Sequence, residues 1–145
     1  MSILTNIVAA DDEEIEALGE SLDPASEWSG IALRDLDTAK VATLHSLLTG
    51  DLFDDALAHY EPVYVSASEG ALVLRLADEM MERLMTLDEE AVAAIAAELA
   101  ATEEFESEPW DETVVAALLS ELAELARLAE SQGQALFVWM HPLRT

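Results

Sequence analysis

The longest regular pattern of apolar positions runs from Trp110 to Pro142. Taken at about 100° per residue, Val114, Val115, Leu118, Leu119, Leu122, Leu125 and Ala129 share one broad side, with Ser120, Glu124 and Arg127 opposite. This spacing predicts a long helix whose wide apolar face must be covered by several other elements. Gln132-Gly133 breaks it, and Ala135 to Met140 follows without polar alternation, which predicts a strand buried on both faces. Helix and strand together predict the centre of a core that the rest of the chain wraps.

Upstream, Ser2 to Val8 carries Ile3, Leu4, Ile7 and Val8 and predicts a strand. Asp11 or Asp12 caps a helix start, Glu13, Glu14 and Glu16 crowd its first turn, and Gly19 and Pro24 close it. Pro24 to Leu33, with Trp28 and Gly30, predicts a loop or irregular segment. A helix then runs from Asp37, its N-cap, to Thr49, with Gly50 at the left-handed C-terminal position and Val41, Leu44, Leu47 and Leu48 on its core face. Asp51 to Tyr60 predicts a short helix. Val63 to Val65 and Ala71 to Leu76, separated by Ser66-Ala67-Ser68-Glu69-Gly70, predict a β-hairpin. Met80, Met81, Leu84 and Met85 mark one amphipathic helix, and Val92, Ile95, Ala96 and Leu99 the next. Thr102 to Trp110 predicts a charge-dense linker.

Composition changes the picture mainly through charge. Six Lys and Arg stand against 31 Asp and Glu, a formal net charge of -25. Such a surface repels nucleic-acid phosphates and anionic lipid and attracts cations and basic proteins. No cysteine is present, which removes disulfides and thiolate chemistry. With 145 residues, 52% of them hydrophobic, one core and one domain spanning 1–145 are expected. Met1 to Ala10 has no basic residue and lacks the pattern of a secretory signal, and no stretch has the length of a membrane span. The expected location is the cytoplasm.

Candidate chemistry is sparse. The chain has no nucleophile elbow, Walker loop, dinucleotide fingerprint, H-E-x-x-H or EF-hand loop. The three histidines, His45, His59 and His141, could each meet carboxylates in space. Asp55 and His59, four apart, would share a helix face and could supply two ligands to a transition metal, although two ligands are not a site. The acidic linker offers a docking patch of Glu103, Glu104 and Glu106 with Phe105 and Trp110 as aromatic anchors; as plain structure, Trp110 is a staple on the long helix.

Three stretches are similar to the YfbM-like family of small bacterial domains of unknown function. They are Met1 to Asn6 with Asp12-Glu13-Glu14, then Leu44-His45-Ser46-Leu47-Leu48-Thr49-Gly50, and finally the closing helix with Gly133 and Leu136 to Met140. Together they cover about half of the chain. The resemblance implies an α+β bacterial domain and carries no activity. It marks His45, Trp28 and Asp37 as the residues to test first.

These readings lead to one α+β domain, a small mostly antiparallel sheet against four to six helices, with the N-terminal strand and Ala135 to Met140 central. Its expected role is a non-enzymatic binding module for a basic protein partner, in a narrower form an immunity-type inhibitor. No cofactor or metal is expected. The rival is a small hydrolase or metal-dependent enzyme using His45 or His59 with nearby carboxylates.

Overall fold

The computed structural model describes residues 4–21, 23–34, 36–67, 70–102, 105 and 110–141. Strands β1 (Leu4–Ala10), β2 (Gly30–Arg34), β3 (Tyr64–Val65), β4 (Leu72–Arg75) and β5 (Ala135–His141) form one antiparallel sheet in the order β2-β1-β5-β4-β3. Helices α1 (Ile15–Glu20), α2 (Pro24–Glu27), α3 (Thr38–Thr49), α4 (Phe53–Ala58), α5 (Asp78–Met85), α6 (Glu89–Ala100) and α7 (Glu112–Ser131) surround it, and a 3-10 turn at Asp12–Glu14 leads into α1. The class is α+β, as expected, with the closing strand at the middle of the sheet.

Helix boundaries follow local chemistry. Asp37, Asp88 and Asp111 each accept a hydrogen bond from the backbone N–H three residues on, at 3.0, 2.8 and 2.9 Å. Such caps satisfy donors that a helix start leaves unpaired, for about 1 kcal/mol each. Gly50 ends α3 at φ +84°, and Gly133 turns the chain at φ +69° between α7 and β5.

The sheet is covered on both faces. Alternation and register put Asn6, Val8, Phe137, Trp139, Val73 and Arg75 on one face. Asn6 Oδ1 accepts from the Ala25 amide of α2 and Arg75 reaches Asp12, so the 3-10 turn, α1 and α2 lie on that side. Thr5 faces the other way and donates to the Leu36 carbonyl just ahead of α3. Every residue of β5 is buried, which explains why its sequence does not alternate. Val138 is 0% and Leu122 1% exposed, so α7 and β5 form the expected centre.

Three expectations change. Pro24 to Leu33 is not a loop: Pro24 opens α2 from the first helical position, and Gly30–Arg34 pairs with β1 as an edge strand. With α2 the helices number seven among the described residues, beyond the four to six expected. Val114 is 38% exposed although its neighbour Val115 is fully buried, so Val114 lies at the margin of the apolar face of α7 and not within it.

Candidate functional site

The residues marked by the sequence fall into separate groups. Trp28 is half-buried and donates its indole N–H to Glu14 Oε2 at 3.0 Å. The Asp11 amide donates to the same carboxylate, and these two bonds, the backbone one first, hold the Glu14 carboxyl below its usual range. Asp37 is occupied as the α3 cap and lies 3.6 Å from the Lys40 ammonium. Both side chains are tied to local structure and neither meets His45.

His45 is different. It sits on the inner face of α3 with its side chain 1% exposed, and both ring nitrogens have partners. Nδ1 lies 2.7 Å from Tyr60 Oη, and Nε2 lies 2.9 Å from Asp51 Oδ2. Asp51 reaches back across six residues because Gly50 turns the chain left-handed. Ser46 Oγ donates to the Asp51 carbonyl at 2.6 Å, and the Asp51 amide donates to Thr49 Oγ1. The N–H of His45 beside Asp51 holds that carboxyl below the usual aspartate range, so it is ionised at neutral pH.

The short helix α4 brings His59 and Tyr60 to the same place. The His59 ring lies 5.1 Å from that of His45, and one ligand atom from each of His45, Asp51 and His59 falls within 4.8 Å of the others. His59 is exposed and Asp51 half-buried, so the cluster is solvent-facing on one side and sealed by α3 on the other. Tyr60 Oη is buried, with His45 Nδ1 and Met80 Sδ, 3.3 Å away, as alternative acceptors for its single hydrogen, and is approached by the Ala77 amide at 3.5 Å. Burial pushes its phenol up to about 12. Asp55, paired with His59 on helical spacing alone, is exposed and takes no part in the cluster. Asp51 and Tyr60 were missed: a contact six residues on is no helical spacing, and its only sequence signal is the Thr-Gly-Asp turn.

The acidic linker changes more. Glu103, Glu104 and Glu106 lie outside the described residues. Phe105 is 0% and Trp110 5% exposed, and the two rings meet edge to face at 5.3 Å. They are core residues and cannot serve as exposed anchors; the burial of Trp110 agrees with its packing role ahead of α7.

Among the described residues, two of the clefts bear on function. One of about 570 Å³ runs between the outer edge of β2 and α7, lined by Gly30, Ile31, Glu121, Glu124, Leu125 and Leu128 among others. Another of about 430 Å³, beside α4, has Thr38, Asp54, Leu57 and Tyr60 in its wall. His45 lines neither.

No family model matches the sequence, and no curated protein does. A solved structure does match: YfbM from Escherichia coli, described as a protein of unknown function, superposes with a TM-score of 0.51 at 16% identity, over 94% of this chain and 99% of that one. The fold is that of YfbM. At this identity the likeness to YfbM concerns architecture alone, and a shared architecture assigns no chemistry. No described helix is long and apolar enough to cross a membrane.

Proposed function

We propose that the protein is a non-enzymatic, cytoplasmic binding module of the bacterial YfbM-like family, which takes a basic protein partner on its acidic surface. The carrying observation is the β2–α7 cleft. It sets β2, a five-residue strand at the edge of the sheet among the described residues, beside the apolar side chains of Leu125 and Leu128 and the carboxylates of Glu121 and Glu124. An exposed strand edge is a template for pairing with an added extended segment. Carboxylates beside it select Lys and Arg in that segment. Three of the protein's six cations are engaged elsewhere: Arg75 with Asp12 and Asp78, Lys40 with Asp37, and Arg127 with the carbonyls of Met85 and Leu87. The overall charge of -25 steers such a partner toward the surface.

The test is a titration with a short extended peptide of alternating Lys and Val, followed by amide shifts at low and high salt. Shifts concentrated at Gly30–Arg34 and α7, weakened by salt and removed by Glu121→Lys with Glu124→Lys, support the reading. Shifts spread evenly over the acidic surface, or none, sink it. The narrower reading, an immunity-type inhibitor of a basic toxin, requires a toxin gene beside this one. The His45–Asp51–His59 grouping favours a second reading, a small metal-dependent enzyme. Turnover of a generic ester or phosphoester by the zinc-loaded protein, lost in His59→Ala, would replace the binding-module reading with it.

A further inference from the structure

From the geometry of the α3–α4 corner we infer a binding site for one divalent first-row transition ion, best matched by zinc, with His45 Nε2, Asp51 and His59 as ligands and Tyr60 as the group that orients His45. This inference stands independently of the partner proposed above.

The donor set selects the ion. Two imidazoles and one carboxylate suit zinc and its neighbours, whereas magnesium and calcium prefer oxygen-only shells. Tetrahedral ligands about 2.0–2.1 Å from zinc stand roughly 3.4 Å apart. The three ligand atoms already lie within 4.8 Å of one another. His45 is fixed inside α3, while Asp51 and His59 are on the solvent side, so rotation of these two side chains closes the remaining gap. The same side leaves a fourth position to water.

The hydrogen bonds around Tyr60 supply the second observation. Asp51 accepts at Nε2, so in its neutral form the metal-free His45 ring carries its hydrogen on Nε2 and its bare Nδ1 accepts the Tyr60 O–H at 2.7 Å. Ligation needs the opposite tautomer. The Nε2 proton leaves to water, the Nε2 lone pair bonds the ion, and water returns a proton to Nδ1, so the ring stays neutral. Nδ1–H then donates to Tyr60 Oη, whose own hydrogen must turn elsewhere. Met80 Sδ lies 3.3 Å away to accept it. Tyr60 therefore has a buried partner for its single hydrogen in either state. Metal-bound histidines are held in this way through the nitrogen that does not ligate.

The experiment uses the full chain stripped with a chelator and titrated with zinc in excess magnesium and salt, which occupy the diffuse acidic surface. Nitrogen-15 spectra of the imidazoles are recorded in parallel. One equivalent of zinc is expected to bind, with His45 passing from the Nε2–H to the Nδ1–H form. His59→Ala, an exposed position that leaves the core intact, is expected to weaken binding at least 100-fold. Tyr60→Phe is expected to weaken it about 10-fold or more, the usual effect of losing an orienting partner. No binding under these conditions, binding unchanged in His59→Ala, or binding that leaves the His45 tautomer unchanged would each overturn the assignment.

Discussion

Replacing Gly30 by alanine tests the edge of the sheet, where the proposed partner would pair. A Cβ at this position would stand 2.5 Å from the Ile7 carbonyl oxygen, 2.5 Å from Val8 Cγ1 and 3.1 Å from Val8 Cα. Ordinary contacts lie at about 3.5–4.0 Å, so β2 and β1 would have to part by roughly 1 Å. The Ile7 and Val8 backbone cannot yield, because β5 holds it from the other side through the pairs Ile7–Val138 and Val8–Phe137. The strain falls on β2, including the bond from the Ala9 amide to the Ser29 carbonyl at 2.9 Å. Overpacking of this kind costs about 1–3 kcal/mol, and a weakened backbone bond about 0.5–1.5 kcal/mol. Against this, alanine restricts the unfolded chain and returns about 0.4–1 kcal/mol. The clash wins by about 2 kcal/mol, which lowers Tm by roughly 4–8 °C for a chain of this size. Urea and thermal unfolding measure the loss, and amide exchange locates it, with Ala9 exchanging faster than in the parent. Gly50→Ala is the control: its Cβ would meet open space, so its cost, about 1 kcal/mol from the left-handed backbone, leaves Ala9 protected. A Gly30→Ala variant as stable as the parent would refute the close approach of the two strands.

Leu122→Ala should cost about 2–5 kcal/mol in urea unfolding, since Leu122 is buried at the centre of α7; a loss below 1 kcal/mol would contradict its place in the core. Raising salt from low to about 0.5 M should raise Tm by screening the charge of -25, and a flat or falling Tm would mean that the like charges do not interact. Tyr60, through burial, and Tyr64, through its bond to Glu20, are pushed up to about 12 in the folded chain. An unfolded tyrosine ionises near 10, so this stability is present below about pH 10 and is lost as pH rises from there toward 12. Tyrosinate absorbance should lag in the native protein and appear together with unfolding; ionisation of both rings near pH 10 in a still-folded chain would disprove it.

Much of the fold was legible where one residue's chemistry acts locally. Asp37, Asp88 and Asp111 cap their helices through their own side chains, and Gly50 takes the left-handed turn that its position after Thr49 announces. β2 was not legible, because Gly30, Ala32 and Arg34 have little strand preference and only pairing with β1 makes them a strand. The docking patch assigned to Phe105 and Trp110 failed for a related reason. Acidic neighbours along the chain suggested exposure, but the two rings meet edge to face and both are buried.

By itself the amino-acid order determined which segments are oily on one side and which on both, where helices begin and stop, and how negative the surface must be. These depend on periodicity and near neighbours, which a linear chain contains. Only the tertiary structure decided that Asp51 rather than Asp55 meets His45, that Tyr60 closes the group from beneath, and that β2 leaves its outer edge beside Glu121 and Glu124. Those contacts join elements through a left-handed turn and a sheet register, and neither distance is set until the buried helix and strand have packed.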